Sequence, residues 1–84
     1  MMYSVYILKS LRDGKYYIGQ TNDLVERVRR HNAGRVKSTK GRIPLELQYS
    51  ERYETRGEAM KRESYLKSLK SSVELDKIVK EKLP

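Results

Sequence analysis

The chain has no cysteine, no tryptophan and no phenylalanine, and only one histidine and two prolines among its 84 residues. Without cysteine, neither a disulfide framework nor a cysteine-based zinc site can staple it, so its stability rests on packing. No apolar run approaches the roughly 20 residues of a membrane-spanning helix. Met1-Met2-Tyr3-Ser4 also lacks the charged-then-apolar order of a signal peptide. These absences predict a soluble, cytoplasmic protein of a reducing compartment. The length predicts one domain spanning 1–84, with a thin core and its function on the faces of that core.

Acidic residues are also in short supply. Eleven Asp and Glu against nineteen Lys and Arg leave a formal charge of +8 at pH 7. A positive field of that size on so short a chain attracts polyanions and makes nucleic acid the first partner to consider. Ordinary solvation by lysines competes with that explanation, because basic composition marks affinity rather than chemistry.

What is present is ordered along the chain. β-favouring residues are dense from Tyr3 to Leu8, Asp13-Gly14 marks a turn, and Tyr16 to Thr21 forms a second β-like run, so a hairpin is predicted. Thr21-Asn22-Asp23-Leu24 offers capping side chains, after which Leu24, Val25 and Val28 recur at helical spacing until Asn32-Ala33-Gly34 stops the helix. The basic stretch from Arg35 to Pro44 reads as a loop carrying Arg35, Lys37, Lys40 and Arg42, and Pro44 disfavours helical geometry at Ile43. Leu45, Leu47 and Tyr49 alternate with Glu46, Gln48 and Ser50, which predicts a strand with one face in the core. Thr55-Arg56-Gly57-Glu58 has capping-box spacing and opens a helix to about Leu69. Ser71-Ser72-Val73-Glu74 repeats that spacing and opens a last helix with Leu75, Ile78 and Val79 on its apolar side. The expected order is β-β-α-β-α-α, an α+β arrangement.

Several residues are out of place in a purely structural reading. At about 100° per residue, Glu63 falls within roughly 40° of Ala59 and 60° of Leu66, on the side of its helix that should face the core. An unpaired carboxylate there is expensive, so Glu63 needs a salt bridge to one of the many Lys and Arg residues, a raised pKa, or a cation at the edge of the core. Arg27 and His31 are four apart on one helical face, beside the Leu24 and Val28 stripe. Together they suit an anionic substrate, since a guanidinium presents a fork to phosphate and an imidazole titrates near neutrality. Separately they are a solvated arginine and a histidine favoured by the helix dipole. Tyr6 and Tyr17 lie in the two strands of the hairpin, and an antiparallel pair can turn both phenols to one face. Others of the seven tyrosines, such as Tyr3 and Tyr49, read as packing at the edge of the core.

Taken in order, these residues resemble the GIY-YIG nucleases. Val5-Tyr6-Ile7 stands at the first signature and Tyr17-Ile18-Gly19 at the second. Arg27 and His31 follow on the first helix, then Gly41-Arg42-Ile43-Pro44-Leu45 before the third strand, and Glu58-Ala59-Met60-Lys61-Arg62-Glu63 on the next helix. The match runs over roughly residues 3 to 70 and is similar to the short stand-alone members. It is similar also to the nuclease domain of bacterial excision repair and of junction resolution. The resemblance implies a small three-stranded, mainly antiparallel sheet flanked by helices. It further implies that Glu63 holds one Mg²⁺ or Mn²⁺, that Arg27 pairs with a nonbridging phosphate oxygen, that Tyr17 takes a proton from the attacking water, and that Tyr6 orients water or phosphate. His31 is the neighbour expected to assist Tyr17 and also a rival for the general base. Gly19 is expected to let backbone pass close to substrate or to the facing helix. The chain departs from the family at Val5, in place of the first glycine, and at Gln20, where many relatives carry lysine. It also has no asparagine after Asn32.

The leading expectation is therefore a structure-selective, metal-dependent endonuclease on DNA, with RNA as another possible polymer. Arg35, Lys37, Lys40, Arg42, Lys61 and Lys67 would contact backbone phosphates. The alternative is a nucleic-acid-binding module of the same fold with little or no turnover. A protein partner supplying specificity, and a monomer or weak homodimer, complete the expectation.

Overall fold

The computed structural model describes residues 2–69 and 72–81. Three strands, β1 (Tyr3–Ser10), β2 (Tyr16–Thr21) and β3 (Leu45–Tyr53), form one sheet in the order β2-β1-β3, antiparallel on both sides of β1. Helix α1 (Leu24–Asn32) lies between β2 and β3 in sequence, and α2 (Arg56–Ser68) and α3 (Ser72–Glu81) follow β3. The order and the α+β class are those the sequence predicts. Among the described residues no helix is long and apolar enough to cross a membrane.

β1 is the central strand, so both its faces are covered and Val5, Tyr6, Ile7 and Leu8 are all buried, as a short unbroken apolar run requires. Its side chains alternate between two cores. Val5 and Ile7 join Ile18 and Tyr49 beneath Ala59 and Leu66 of α2 and Leu75 and Val79 of α3. Tyr6 and Leu8 join Leu45, with Tyr17, Leu24, Val28 and Ile43 packed against them under α1. Burial of Leu75 and Val79, with Ile78 packed beside them, matches the apolar side expected of α3.

The helix ends follow local chemistry. The Asp23 carboxylate accepts from the Glu26 amide at 3.2 Å and caps α1, and Gly34, at φ 75°, takes the left-handed turn after it. Thr55 Oγ1 accepts from the Glu58 amide at 3.2 Å, and its hydroxyl donates to the Glu58 carboxylate at 2.9 Å. The Glu58 side chain thus reaches back to the threonine hydroxyl, a variation on the capping box. The cap expected at Ser71 lies outside the described residues.

Three differences from the sequence-based expectation have physical causes. First, Leu45, Leu47 and Tyr49 do not share a face. Ile7 pairs with Tyr49 but Leu8 pairs with Leu47, so Gln48 is the extra residue of a bulge and the alternation flips there. Leu45 joins the core under α1, Tyr49 joins the core under α2 and α3, and Leu47 is 40% exposed. Second, β3 runs on to Tyr53, which pairs with Tyr3 of β1, and along this stretch Glu51, facing α2, accepts hydrogen bonds from Tyr49, from Tyr53 at 2.6 Å and from Arg62 Nε at 2.7 Å. Third, the loop from Arg35 to Pro44 contains a short 3₁₀ turn at Lys40–Arg42, after which Ile43 is extended as its proline neighbour demands.

Candidate active site

Tyr6 and Tyr17 do point to the same face. Tyr6 pairs with Gly19 and Leu8 with Tyr17, so alternate positions of the two strands share the side under α1. Helix α1 lays Arg27 and His31 on its inner face, one turn apart, and both meet the phenols. Arg27 Nε donates to the Tyr6 hydroxyl at 3.4 Å, and His31 Nε2 lies 3.0 Å from the same oxygen. The Tyr17 ring stands edge-on to the imidazole with centroids 5.1 Å apart.

Burial separates the roles of these groups. Tyr6 is 1% exposed and His31 is fully buried, whereas Tyr17, Arg27 and Glu63 are half-buried and so reachable from solvent. Burial raises the Tyr6 phenol above its ordinary value, against the opposing hydrogen bond and charge of Arg27. Burial, with the Arg27 charge adding to it, pushes the His31 imidazole down to about 4. At neutral pH both are uncharged. His31 has both nitrogens engaged, Nε2 with Tyr6 and Nδ1 with Thr39 Oγ1 at 2.7 Å. Its place is behind Tyr6, away from solvent, which is not where a base acting directly on water would stand.

Glu63 arrives from α2, on the other side of the sheet, yet its charge reaches the Tyr6 phenol and adds to the rise of its pKa. Its carboxylate pairs with Lys67 Nζ at 2.8 Å, one turn on. The pair is wet: Glu63 keeps 20% of its side chain exposed and Lys67 keeps 54%. The bond to Glu63 raises the Lys67 ammonium, and the nearby Tyr17 and Tyr6 phenols contribute. Lys67, expected on a phosphate track, is therefore held beside the phenols as the counter-ion of Glu63.

The remaining cations divide. Arg35, Lys37, Lys40 and Lys61 are exposed. Arg42 is engaged elsewhere, with Nε 3.3 Å from Asp13 and a second nitrogen donating to the Tyr16 carbonyl at 3.4 Å, so it ties the loop to the hairpin turn. Gly19 is required by its neighbour across the sheet. A Cβ there would overlap the Tyr6 hydroxyl and lie 2.6 Å from its Cζ. Sequence reasoning missed three supporting residues. Ser38 Oγ donates to the Tyr17 hydroxyl at 3.4 Å, Thr39 holds His31, and the Asn32 amide brackets Leu45 by accepting from its N–H at 2.7 Å and donating to its carbonyl at 2.9 Å. These are short polar residues in or beside a loop, and only their contacts distinguish them.

With this geometry in place, the comparisons decide the family. The model of the GIY-YIG catalytic domain matches residues 2–77. The chain belongs to the GIY-YIG family. It is 44% identical over 69 residues to a UPF0213 protein of Halobacterium salinarum, covering 81% of this chain and 88% of that one. It is 43% identical over 79 residues to a UPF0213 protein of Staphylococcus aureus, covering 93% and 94%. With the UPF0213 protein YazA of Bacillus subtilis it shares 46% over 65 residues, 76% of this chain and 65% of that one. The solution NMR structure of a UPF0213 protein from Bacillus halodurans superposes with a TM-score of 0.62 at 35% identity, covering 98% of this chain and 86% of that one. A GIY-YIG catalytic domain is a nuclease domain, and its substrate is nucleic acid.

Proposed function

We propose that this GIY-YIG protein is a metal-dependent endonuclease that hydrolyses phosphodiester bonds in DNA and selects its target by shape rather than base sequence. One observation carries the reading: two phenols and the Arg27 guanidinium, from three separate elements, meet under α1, and the charge of the half-buried Glu63 carboxylate on α2 reaches the Tyr6 phenol. Among the described residues no group of three or more His, Asp or Glu side chains could cage a metal. A lone, partly exposed carboxylate still fits Mg²⁺ or Mn²⁺, because such ions keep several waters and complete their shell with substrate phosphate oxygens. Glu63 would hold the ion, whose charge supports the phosphate and the departing oxygen.

The protein groups divide the remaining work. A guanidinium has more N–H donors than its contacts with the phenols use, so Arg27 keeps capacity for a nonbridging phosphate oxygen. Tyr17 is the phenol open to solvent, and in its deprotonated form, its own proton released to solvent, it takes the proton of the attacking water, itself or through a neighbour. Water oxygen bonds to phosphorus, the bond to the leaving sugar oxygen breaks, and that oxygen is protonated from solvent. Tyr6, buried beside Arg27, orients the water or the phosphate. The exposed Arg35, Lys37, Lys40 and Lys61 supply backbone contacts without reading bases.

The 2.8 Å pair between Lys67 and Glu63 favours a second reading, a nucleic-acid-binding module whose carboxylate is already neutralised. One assay separates the two. Branched, linear and single-stranded DNA are incubated with the protein with and without Mg²⁺ or Mn²⁺, and nicking and binding are followed together. The endonuclease nicks only with metal. Glu63→Ala abolishes nicking and leaves binding nearly intact, and Tyr17→Phe slows the reaction while hardly disturbing the fold. Binding without metal-dependent nicking on any of these DNAs would sink the enzyme reading.

A further inference from the structure

Thr39 is fully buried, with its Oγ1 2.7 Å from His31 Nδ1 and 3.4 Å from the Val36 carbonyl oxygen. Together with the Arg27 and Tyr6 contacts it completes one chain of hydrogen bonds from the protein interior to the site. The two ends of that chain are not interchangeable. A guanidinium only donates, and a backbone carbonyl only accepts. Each hydroxyl between them has one proton, and a neutral imidazole has one N–H and one bare nitrogen.

One direction satisfies every link. Arg27 Nε–H donates to the Tyr6 oxygen, the Tyr6 hydroxyl donates to His31 Nε2, His31 Nδ1–H donates to Thr39 Oγ1, and the Thr39 hydroxyl donates to the Val36 carbonyl. Reversing the middle links gives the Tyr6 oxygen two donors, leaves its own proton without a partner in the chain, and takes the Thr39 proton from Val36. The imidazole has to be neutral for either direction, and its burial keeps it so.

We propose that Thr39 is a positioning residue that sets the Nδ1–H tautomer of His31, turning the Tyr6 proton inward so that Tyr6 shows the reacting centre an oxygen lone pair. Tyr6 then accepts a hydrogen bond from the attacking water and does not donate to the phosphate. Only this last consequence rests on the nuclease reading; the tautomer stands on the hydrogen bonds alone.

His31 is the only histidine in the sequence, so its ring nitrogens can be read without ambiguity in isotope-labelled protein by long-range proton–nitrogen correlation at neutral pH. The expected wild-type pattern is a protonated Nδ1 and a bare Nε2. Thr39→Ser should keep that pattern, and Thr39→Val should lose it to the other tautomer or to a mixture. A wild-type imidazole protonated at Nε2 would overturn the proposal, as would a folded Thr39→Val protein with the Nδ1–H pattern unchanged. Should Thr39→Val fail to fold, the wild-type spectrum decides, in either direction. In the cleavage assay, Thr39→Val should lower kcat on the order of tenfold to a hundredfold with KM little changed, and Thr39→Ser should restore it. A switched tautomer with an unaltered kcat would overturn the role given to the Tyr6 lone pair. A wild-type protein with the expected tautomer but no cleavage would count against the nuclease reading and leave the tautomer standing.

Discussion

A methyl group at position 19 would sit 2.6 Å from Cζ of Tyr6 and closer still to its hydroxyl, and that phenol has nowhere to go, being buried and hydrogen-bonded to His31 and Arg27. Gly19→Ala should therefore destabilise the fold by about 1–3 kcal/mol, the usual range for overpacking, and displace Tyr6 from the imidazole. Urea unfolding measures the first effect and the His31 nitrogen shifts measure the second. His31 itself makes stability depend on pH. In the unfolded chain the ring takes up a proton below its ordinary 6.5, while in the folded protein it resists until about 4. The folded value is depressed, so the unfolded state binds more protons across that window and stability falls as pH drops through it. The loss should reach on the order of 3 kcal/mol by pH 4, with a flat profile above 6.5. Unfolding free energies measured from neutral pH down to pH 4 test this, and an unchanging value would contradict a buried neutral ring.

Between elements, the bulge at Gln48 has the largest consequence. By flipping the alternation it sends Tyr49, Glu51 and Tyr53 toward α2, where Arg62 waits, and returns Ser50 and Arg52 to the opposite side. Burial alone would push the Glu51 carboxyl up, but the Tyr49 and Tyr53 phenols and the Arg62 guanidinium outweigh it and hold the carboxyl below its ordinary 4.5. The same carboxylate and its own hydrogen bond carry the Tyr53 phenol up to about 12. Glu51 thus fastens α2, the helix that carries Glu63, to the sheet. Glu51→Gln should cost about 1–3 kcal/mol at neutral pH, because it weakens several charge-assisted hydrogen bonds at once. A depressed carboxylate stabilises above its unfolded value and ceases to do so as pH falls through its folded value, so the gap between Glu51→Gln and wild type should close on acidification below 4.5. Chemical denaturation over that pH series checks both statements. On the β2 side, the Tyr16 hydroxyl donates to Asp76 and attaches α3 in a similar way; burial, together with that carboxylate, pushes the phenol up to about 12.

At the scale of the molecule, the net charge of +8 spreads beyond the residues proposed to do chemistry. The loop after α1 joins the two parts of the proposed function: Lys37 and Lys40 are exposed, while Ser38 and Thr39 between them touch Tyr17 and His31. Binding of DNA to such a surface releases counterions, so affinity should fall linearly on a log–log plot against salt, with a slope of about 0.9 per phosphate contacted. Lys37→Ala should weaken binding uniformly across DNA sequences and reduce that slope by about one. Fluorescence anisotropy over a salt series measures both. A sequence-dependent loss would mean that the residue reads bases.

The succession of elements, the caps of α1 and α2, and the shared faces of Tyr6 with Tyr17 and of Arg27 with His31 were all readable in the sequence, because each depends on residues a few positions apart and on the periods of strand and helix. The sequence also marked Glu63 as a carboxylate on a helix side turned toward the core, and left its partner open. Lys67, one turn along the same helix, is that partner at i,i+4 spacing, a local pairing. Only the tertiary structure put Tyr6 against the missing side chain of Gly19, moved Tyr49 to the other core through the bulge at Gln48, took Arg42 out of the exposed cations, and placed Thr39 behind His31. Those outcomes depend on distances between segments far apart in the chain, set by how the sheet and helices pack, and no local pattern of residues carries that information.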